Sequence, residues 1–326
     1  MFLRTMLVML RLPLDLLVVI LQYYIFGGLR YHKYKKSLRN LLKLGLYRTS
    51  LEVDLMDGKW LFPYTNRFLL EKIIPSFISV YRLLDNDKQQ RLSILLLDYK
   101  LVLNGYPLVS KGNDNLILMG DSAGGHLSIS YTQFLRTLAE PVVYPKKMIL
   151  ISPWVKLSPL SEDLHYDWIH YSRFCSVLNL KRFVCPPGVK KPPTRHDWTC
   201  IPLYSDKNYD VFLILGEDES FRDDVLQWAK YALHLPWYES VNYGKLHKFF
   251  DSKNYELIRK NEPGKANLSV FIEPHGVHDS MLYFEDVIGG SIGRTLKRGK
   301  MPNLKVYDRR TYFGIVRHME FLNSTL

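Results

Sequence analysis

The chain has 326 residues, 47% of them hydrophobic, and 44 Lys and Arg against 32 Asp and Glu give it a net charge of +12. That length holds one large α/β domain plus an appendage, and with no low-complexity tract or repeat the composition suits a globular enzyme. The cations are spread along the sequence without a basic helix, zinc-ligand spacing or RNA-binding aromatic box, so no nucleic-acid partner is expected. Cys175, Cys185 and Cys200 fit neither a disulfide framework nor a C-x-x-C metal or redox site.

From Leu12 to Leu29 the chain is nearly all apolar, interrupted by Pro13, Asp15 and Gln22. This is about the length needed to cross hydrocarbon, and it extends upstream through Met6 to Leu10 if Arg11 reaches the interface. No small-residue cleavage site follows; Tyr31-His32-Lys33-Tyr34-Lys35-Lys36 does. Residues 1–36 therefore read as a retained anchor with a basic flank, in contact with membrane lipid, and 37–326 as the catalytic domain. Arg30, Lys33, Lys35, Lys36 and Arg39 outnumber Arg4 and Arg11, which by charge count puts the body in the cytosol. Two glycosylation sequons, Asn267-Leu268-Ser269 and Asn323-Ser324-Thr325, fit a lumenal body instead.

Apolar spacing predicts helices over Ser37–Leu51 and Pro75–Leu84. Ser93–Leu97, ending in Asp98-Tyr99, has the profile of a buried parallel strand. A strand at Leu116–Met119 and a helix at His126–Leu138 follow, then a strand at Lys147–Ile151 leading into Ser152-Pro153-Trp154. Residues 156–205 are aromatic, Pro-rich and irregular, which suits a small cap. Further on come a strand at Asp210–Leu215, a helix at Asp224–Leu233, a strand at Leu268–Ile272 and a helix from Met281. Strands alternating with helices indicate a mostly parallel sheet with helices on both faces.

Between the second strand and its helix stands Gly120-Asp121-Ser122-Ala123-Gly124-Gly125-His126. This G-x-S-x-G in a strand–turn–helix context is the nucleophile elbow of the α/β-hydrolase fold, and it nominates Ser122 as nucleophile. Glycines flank the serine because side chains would clash in so tight a turn. The backbone N–H of Ala123, the next residue, is the expected oxyanion donor. A serine hydroxyl needs a base oriented by an acid, and in this fold they follow in the order Ser, Asp or Glu, His. The loop Gly216-Glu217-Asp218-Glu219 and the loop Glu273-Pro274-His275-Gly276-Val277-His278 each stand just past a predicted strand, in that order.

With these motifs the chain resembles the hormone-sensitive-lipase-like esterases, marked by G-D-S-A-G-G, and within them the fungal steryl acetyl hydrolases. The resemblance runs in register from Ser37 to Phe284, carried by Asp98-Tyr99, the elbow, Ser152-Pro153-Trp154, the acidic loop and Gly276-Val277-His278. It implies an acid ahead of an apolar-Arg-Asp-acidic run; laid on Phe221-Arg222-Asp223-Asp224, this falls on Glu219, with Asp218 the alternative. The family's G-x-H matches His278 as base, leaving His275 a loop residue and His126 in the helix supporting the turn. The implied activity is hydrolysis of sterol or similar lipophilic acetyl esters by Ser122, Glu219 and His278, with no cofactor and no metal. The implied location is the endoplasmic reticulum membrane, single-pass, with a lumenal catalytic domain.

Two features depart from the family. No histidine stands between His32 and His126, and Leu61-Phe62-Pro63-Tyr64-Thr65-Asn66 contains no glycine, so the H-G-G-G loop supplying the remaining oxyanion donors is missing. Only Lys100–Asn115 separates the Asp98-Tyr99 strand from the elbow strand, and Asn104-Gly105, Pro107 and Gly112-Asn113 break any helix there. Both read as deletions, truncating the fold in its N-terminal half. Loss of one oxyanion donor costs about 100- to 1000-fold in turnover, so a catalytically impaired pseudoenzyme or remnant is the alternative expectation.

Overall fold

The computed structural model describes residues 2–27, 37–52, 67, 69–89, 117–137, 144–155, 202–219, 221–237 and 252–326. The strand expected at Ser93–Leu97, the crossover Lys100–Asn115 and the cap up to residue 201 lie outside them. The described residues form two compact units, one within Met1–Ile74 and one within Pro75–Val155 and Pro193–Leu326.

The first unit pairs α1 (Phe2–Phe26) with α2 (Leu38–Glu52). A Cβ at Gly45 would stand 3.2 Å from Leu16 Cδ2, so the missing side chain lets the two helices approach closely. Thr5–Phe26 is long and apolar enough to cross a membrane and is not buried against the protein. Asp15, the costly residue in that run, is held by Arg11 one turn earlier, Nε to Oδ1 3.0 Å.

The second unit is built on a five-stranded sheet of β1 (Ile117–Asp121), β2 (Lys147–Ile151), β3 (Asp210–Gly216), β4 (Glu256–Arg259) and β5 (Asn267–Glu273). Its order is β1-β2-β3-β5-β4, parallel throughout except for the antiparallel edge strand β4. Alternate side chains point to opposite faces. Ile149, Ile151, Phe212, Ile214 and Phe271 form one core with α3 (Ile74–Val80) and the following 3₁₀ turn, α7 (Val287–Lys297) and α8 (Phe313–Thr325). Met148, Leu150, Val211, Leu213, Leu268 and Val270 are equally buried on the other face. Burial on both faces is why β2 and β3 read as unbroken apolar runs. Lys147, at the buried start of β2, is neutralised by its register partner Asp210, Nζ to Oδ2 3.4 Å.

Helix α4 (Ser122–Thr137) packs on β1 and β2 and begins directly at the strand end, four residues earlier than its apolar pattern suggests. Helix α5 (Arg222–Ala232) follows β3, and α6 (Ser280–Phe284) follows β5. The buried Glu285 carboxylate accepts the N–H groups of Gly314 (3.0 Å) and Ile315 (2.8 Å), satisfying orphan donors at the start of α8. Both sequons are engaged in the fold. Asn267 donates to Asp210 and accepts from the Asn261 N–H, and Asn323 accepts from the Asp85 N–H.

His318 of α8 is fully buried among the rings of Phe77, Tyr81 and Phe212, and neither ring nitrogen has a hydrogen-bond partner. Burial disfavours the imidazolium and lowers its pKa to about 3. The unfolded chain takes up this proton near pH 6.5 and the folded chain does not, so stability is full above pH 6.5 and lost as pH falls toward 3. About 2 kcal/mol is expected to go between pH 6.5 and 5 from this residue. Urea titrations across that range measure it, and His318→Leu should flatten the dependence.

Candidate active site

At the end of β1 the chain passes from strand to helix with no residue between, which forces Ser122 to φ +48°. Such a left-handed conformation costs a non-glycine residue about 1–2 kcal/mol and holds its hydroxyl out from the turn. The turn closes because Gly120 and Gly125 lack side chains: their Cβ atoms would stand 2.2 Å from Gly124 O and 2.6 Å from Pro153 Cβ. The Ser122 carbonyl accepts the Trp154 N–H at 2.9 Å, tying the elbow to the loop after β2. Ala123, the second residue of α4, has its N–H among the first four of the helix, which lack intrahelical acceptors.

The loops after β3 and β5 interlock. A Cβ on Gly216 would lie 2.4 Å from Gly276 O; in its absence, Asp218 N–H donates to Gly276 O at 2.8 Å and Glu217 N–H to Glu273 O at 2.9 Å. Glu217, buried, accepts the His275 N–H (2.8 Å) and the Tyr255 hydroxyl (2.9 Å), so its carboxylate ties the two loops together. Burial raises its pKa, opposed by these two hydrogen bonds.

This clamp brings the imidazole of His278 to the elbow: Nε2 lies 2.8 Å from Ser122 Oγ. The edge of one ring meets the face of the other where Phe221 packs on His278, centroids 5.0 Å apart, and Trp154 stacks on Phe221. On the far side Glu219 Oε2 lies 3.9 Å from His278 Nδ1, oriented toward it but beyond hydrogen-bond length. Burial lowers the His278 pKa to about 4, so the ring is neutral and able to accept a proton at pH 7. The Glu219 side chain is wholly buried, which pushes its pKa up to about 7 against the lowering effect of the Ser152 hydroxyl, the Gly216 N–H and Arg222.

Of the expected residues, the fold thus gathers Ser122, His278, Glu219 and Ala123. It does not gather Asp218, which is half exposed and faces His275 (Oδ2 to Nδ1 3.7 Å) outside the cluster. His126 lies in α4 with Nε2 3.3 Å from Ser130 Oγ. Sequence reasoning missed Asp279. It is buried with φ +53°, and its Oδ2 stands 3.3 Å from His278 Nε2, the nitrogen that also faces Ser122. Burial, with Asp121 and Glu219 nearby, raises its pKa well above the carboxylate range. It also missed Glu217 and Phe221. Glu217 stands two residues before the predicted acid and Phe221 opens the run that located it, but neither position says which side chains turn inward.

A mostly parallel sheet, a serine at a strained strand–helix elbow, and an acid and a histidine in the loops after later strands have the arrangement of an α/β-hydrolase fold. Over residues 64–167 the chain matches the steryl acetyl hydrolase family model. The "Putative steryl acetyl hydrolase mug81" of Schizosaccharomyces pombe is 31% identical over 206 residues, 54% of this chain and 52% of the relative. "Steryl acetyl hydrolase 1" of Saccharomyces cerevisiae is 37% identical over 70 residues, 22% of this chain and 16% of its own. The chain thus spans about half the length of the first relative and less of the second. A crystal structure of an esterase from the bacterial hormone-sensitive lipase family superposes with TM-score 0.38 at 18% identity, covering 71% of this chain and 58% of its own.

Proposed function

We propose that the protein is a serine carboxylic-ester hydrolase acting on acetyl esters of sterols or similar lipophilic alcohols. The observation that carries this is the 2.8 Å approach of His278 Nε2 to Ser122 Oγ at the elbow. As Oγ attacks the ester carbonyl carbon, its proton passes to Nε2, and Glu219 stabilises the imidazolium by closing on Nδ1. The tetrahedral oxyanion faces the Ala123 N–H. Collapse breaks the bond to the alcohol oxygen, which takes the proton from Nε2 and leaves acetyl-Ser122. Water, deprotonated by the same nitrogen, then releases acetate and restores the serine. Helix α1 serves as a single-pass anchor, and similarity to steryl acetyl hydrolases points to the sterol acetate. The family resemblance favours a lumenal body in the endoplasmic reticulum, and the charge count a cytosolic one.

The second reading, an impaired pseudoenzyme, is favoured by the lack of an H-G-G-G string in the sequence. Reconstitution in vesicles containing a radiolabelled steryl acetate separates the two. The enzyme reading expects labelled acetate at a rate that exceeds the protein-free blank at least 100-fold, and hydrolysis of p-nitrophenyl acetate as well. The pseudoenzyme reading expects neither.

A further inference from the structure

Ser152, the first residue of Ser152-Pro153-Trp154, stands where β2 ends and is buried with φ +42°. Its backbone N–H donates to Ile214 O at 2.7 Å, which fixes it beside the end of β3. From there its hydroxyl makes two bonds. It donates to Glu219 Oε2 at 2.5 Å and accepts the backbone N–H of Asp279, the residue after His278, at 3.2 Å. Glu219 Oε2 accepts in addition from the Gly216 N–H at 3.0 Å, while Glu219 Oε1 and His278 Nδ1 have no partner. One hydroxyl thus joins the strand after the elbow, the carboxylate expected to orient the base and the backbone that carries the base.

We propose that Ser152 is a positioning residue for the Ser122–His278 couple, its hydroxyl fixing the Glu219 carboxylate against the Nδ1 side of the imidazole while holding the His278 loop in register. This rests on the reading of Ser122, His278 and Glu219 given above. The strained backbone fits this, because a positive φ at a non-glycine residue persists only where the surrounding contacts hold it, here the Ile214 carbonyl, Glu219 and the Asp279 N–H. The groups facing Glu219 are Arg222 of α5, which favours its ionised form, and His278 and Asp279 of the loop after β5, where Glu219 helps to raise the Asp279 pKa. The Ser152 hydrogen bond adds to the ionised side, and its loss leaves the burial of the carboxylate less opposed.

Two substitutions test this, Ser152→Ala and Ser152→Gly; glycine accepts φ +42° without strain, so the second keeps the backbone while removing the hydroxyl. Both are expected to lower kcat about 10- to 100-fold with KM changed less than about twofold, and to move the acid limb of kcat/KM up by about one pH unit. In Glu219→Gln the Ser152 substitutions should cause a smaller loss than in wild type, since the part of the hydroxyl's effect that passes through the carboxylate is already gone and only its bond to the Asp279 N–H remains. A carboxyl ¹³C NMR titration of Glu219 in the full chain provides a readout independent of turnover, and its midpoint should rise by the same amount. An unmoved midpoint, or losses that add fully to those of Glu219→Gln, would overturn the proposal. A wild-type protein without esterase activity would overturn the reading of Ser122, and the NMR titration would still decide the role of Ser152.

Discussion

Replacement of Ser122 by alanine is expected to lower ester turnover by about 10⁴-fold or more, with the fold intact. No other described residue offers a hydroxyl both at a strained elbow and 2.8 Å from an imidazole nitrogen. Serine is a poor nucleophile without that partner, so removing Oγ deletes the atom that forms the covalent bond rather than one that tunes it. Steady-state kinetics with p-nitrophenyl acetate checks the loss, and thermal unfolding checks the fold. Ser122→Gly should be as inactive and unfold no earlier than wild type, because glycine adopts φ +48° without the strain serine carries. Activity in either variant within tenfold of wild type would remove Ser122 from the mechanism.

The second large effect separates two neighbouring carboxylates. Glu219→Gln is expected to lower kcat about 10³- to 10⁴-fold, because a neutral amide stabilises imidazolium poorly and can select the wrong tautomer of His278. Asp218→Asn, which alters a half-exposed side chain facing His275, should change kcat less than about threefold. The pH profile adds a sign. Burial raises the folded Glu219 pKa to about 7, and the carboxylate must be ionised to act. The kcat/KM profile should therefore be high above pH 7 and fall below it, whereas the neutral His278, with its pKa near 4, contributes only at lower pH. In Glu219→Gln the limb near pH 7 should disappear. A limb that stays there in Glu219→Gln and shifts in Asp218→Asn would reverse the assignment.

These two residues also show how far the sequence alone could be read. Ser122 was legible because a glycine-flanked serine between an apolar strand and a helix has few other uses, and Gly120 and Gly125 are required by space. β2 and β3 were legible because burial on both faces leaves continuous apolar runs. β4 was not: four residues with charged ends, pairing along one edge, leave too little periodicity to recognise. α6, α7 and α8 were seen only as a helix from Met281, because Glu285 caps α8 from 29 residues upstream and no local pattern records that. The choice of Glu219 over Asp218 came from the family resemblance, since a run of acids in a turn does not reveal which side chain faces inward. The hydroxyl of Ser152 meets Glu219 across 67 positions of sequence, and Asp279 turns toward His278 through a left-handed φ; neither relation is written locally.

A covalent adduct on Ser122 is the most direct test of the elbow chemistry. The 326-residue chain in detergent would be treated briefly with a fluorophosphonate, digested and analysed by mass spectrometry. The expected result is one modified serine, Ser122, with labelling at least 100-fold slower in His278→Ala. Stoichiometric labelling at another serine, or none in folded protein that reacts over hours, would contradict the elbow as the seat of the chemistry.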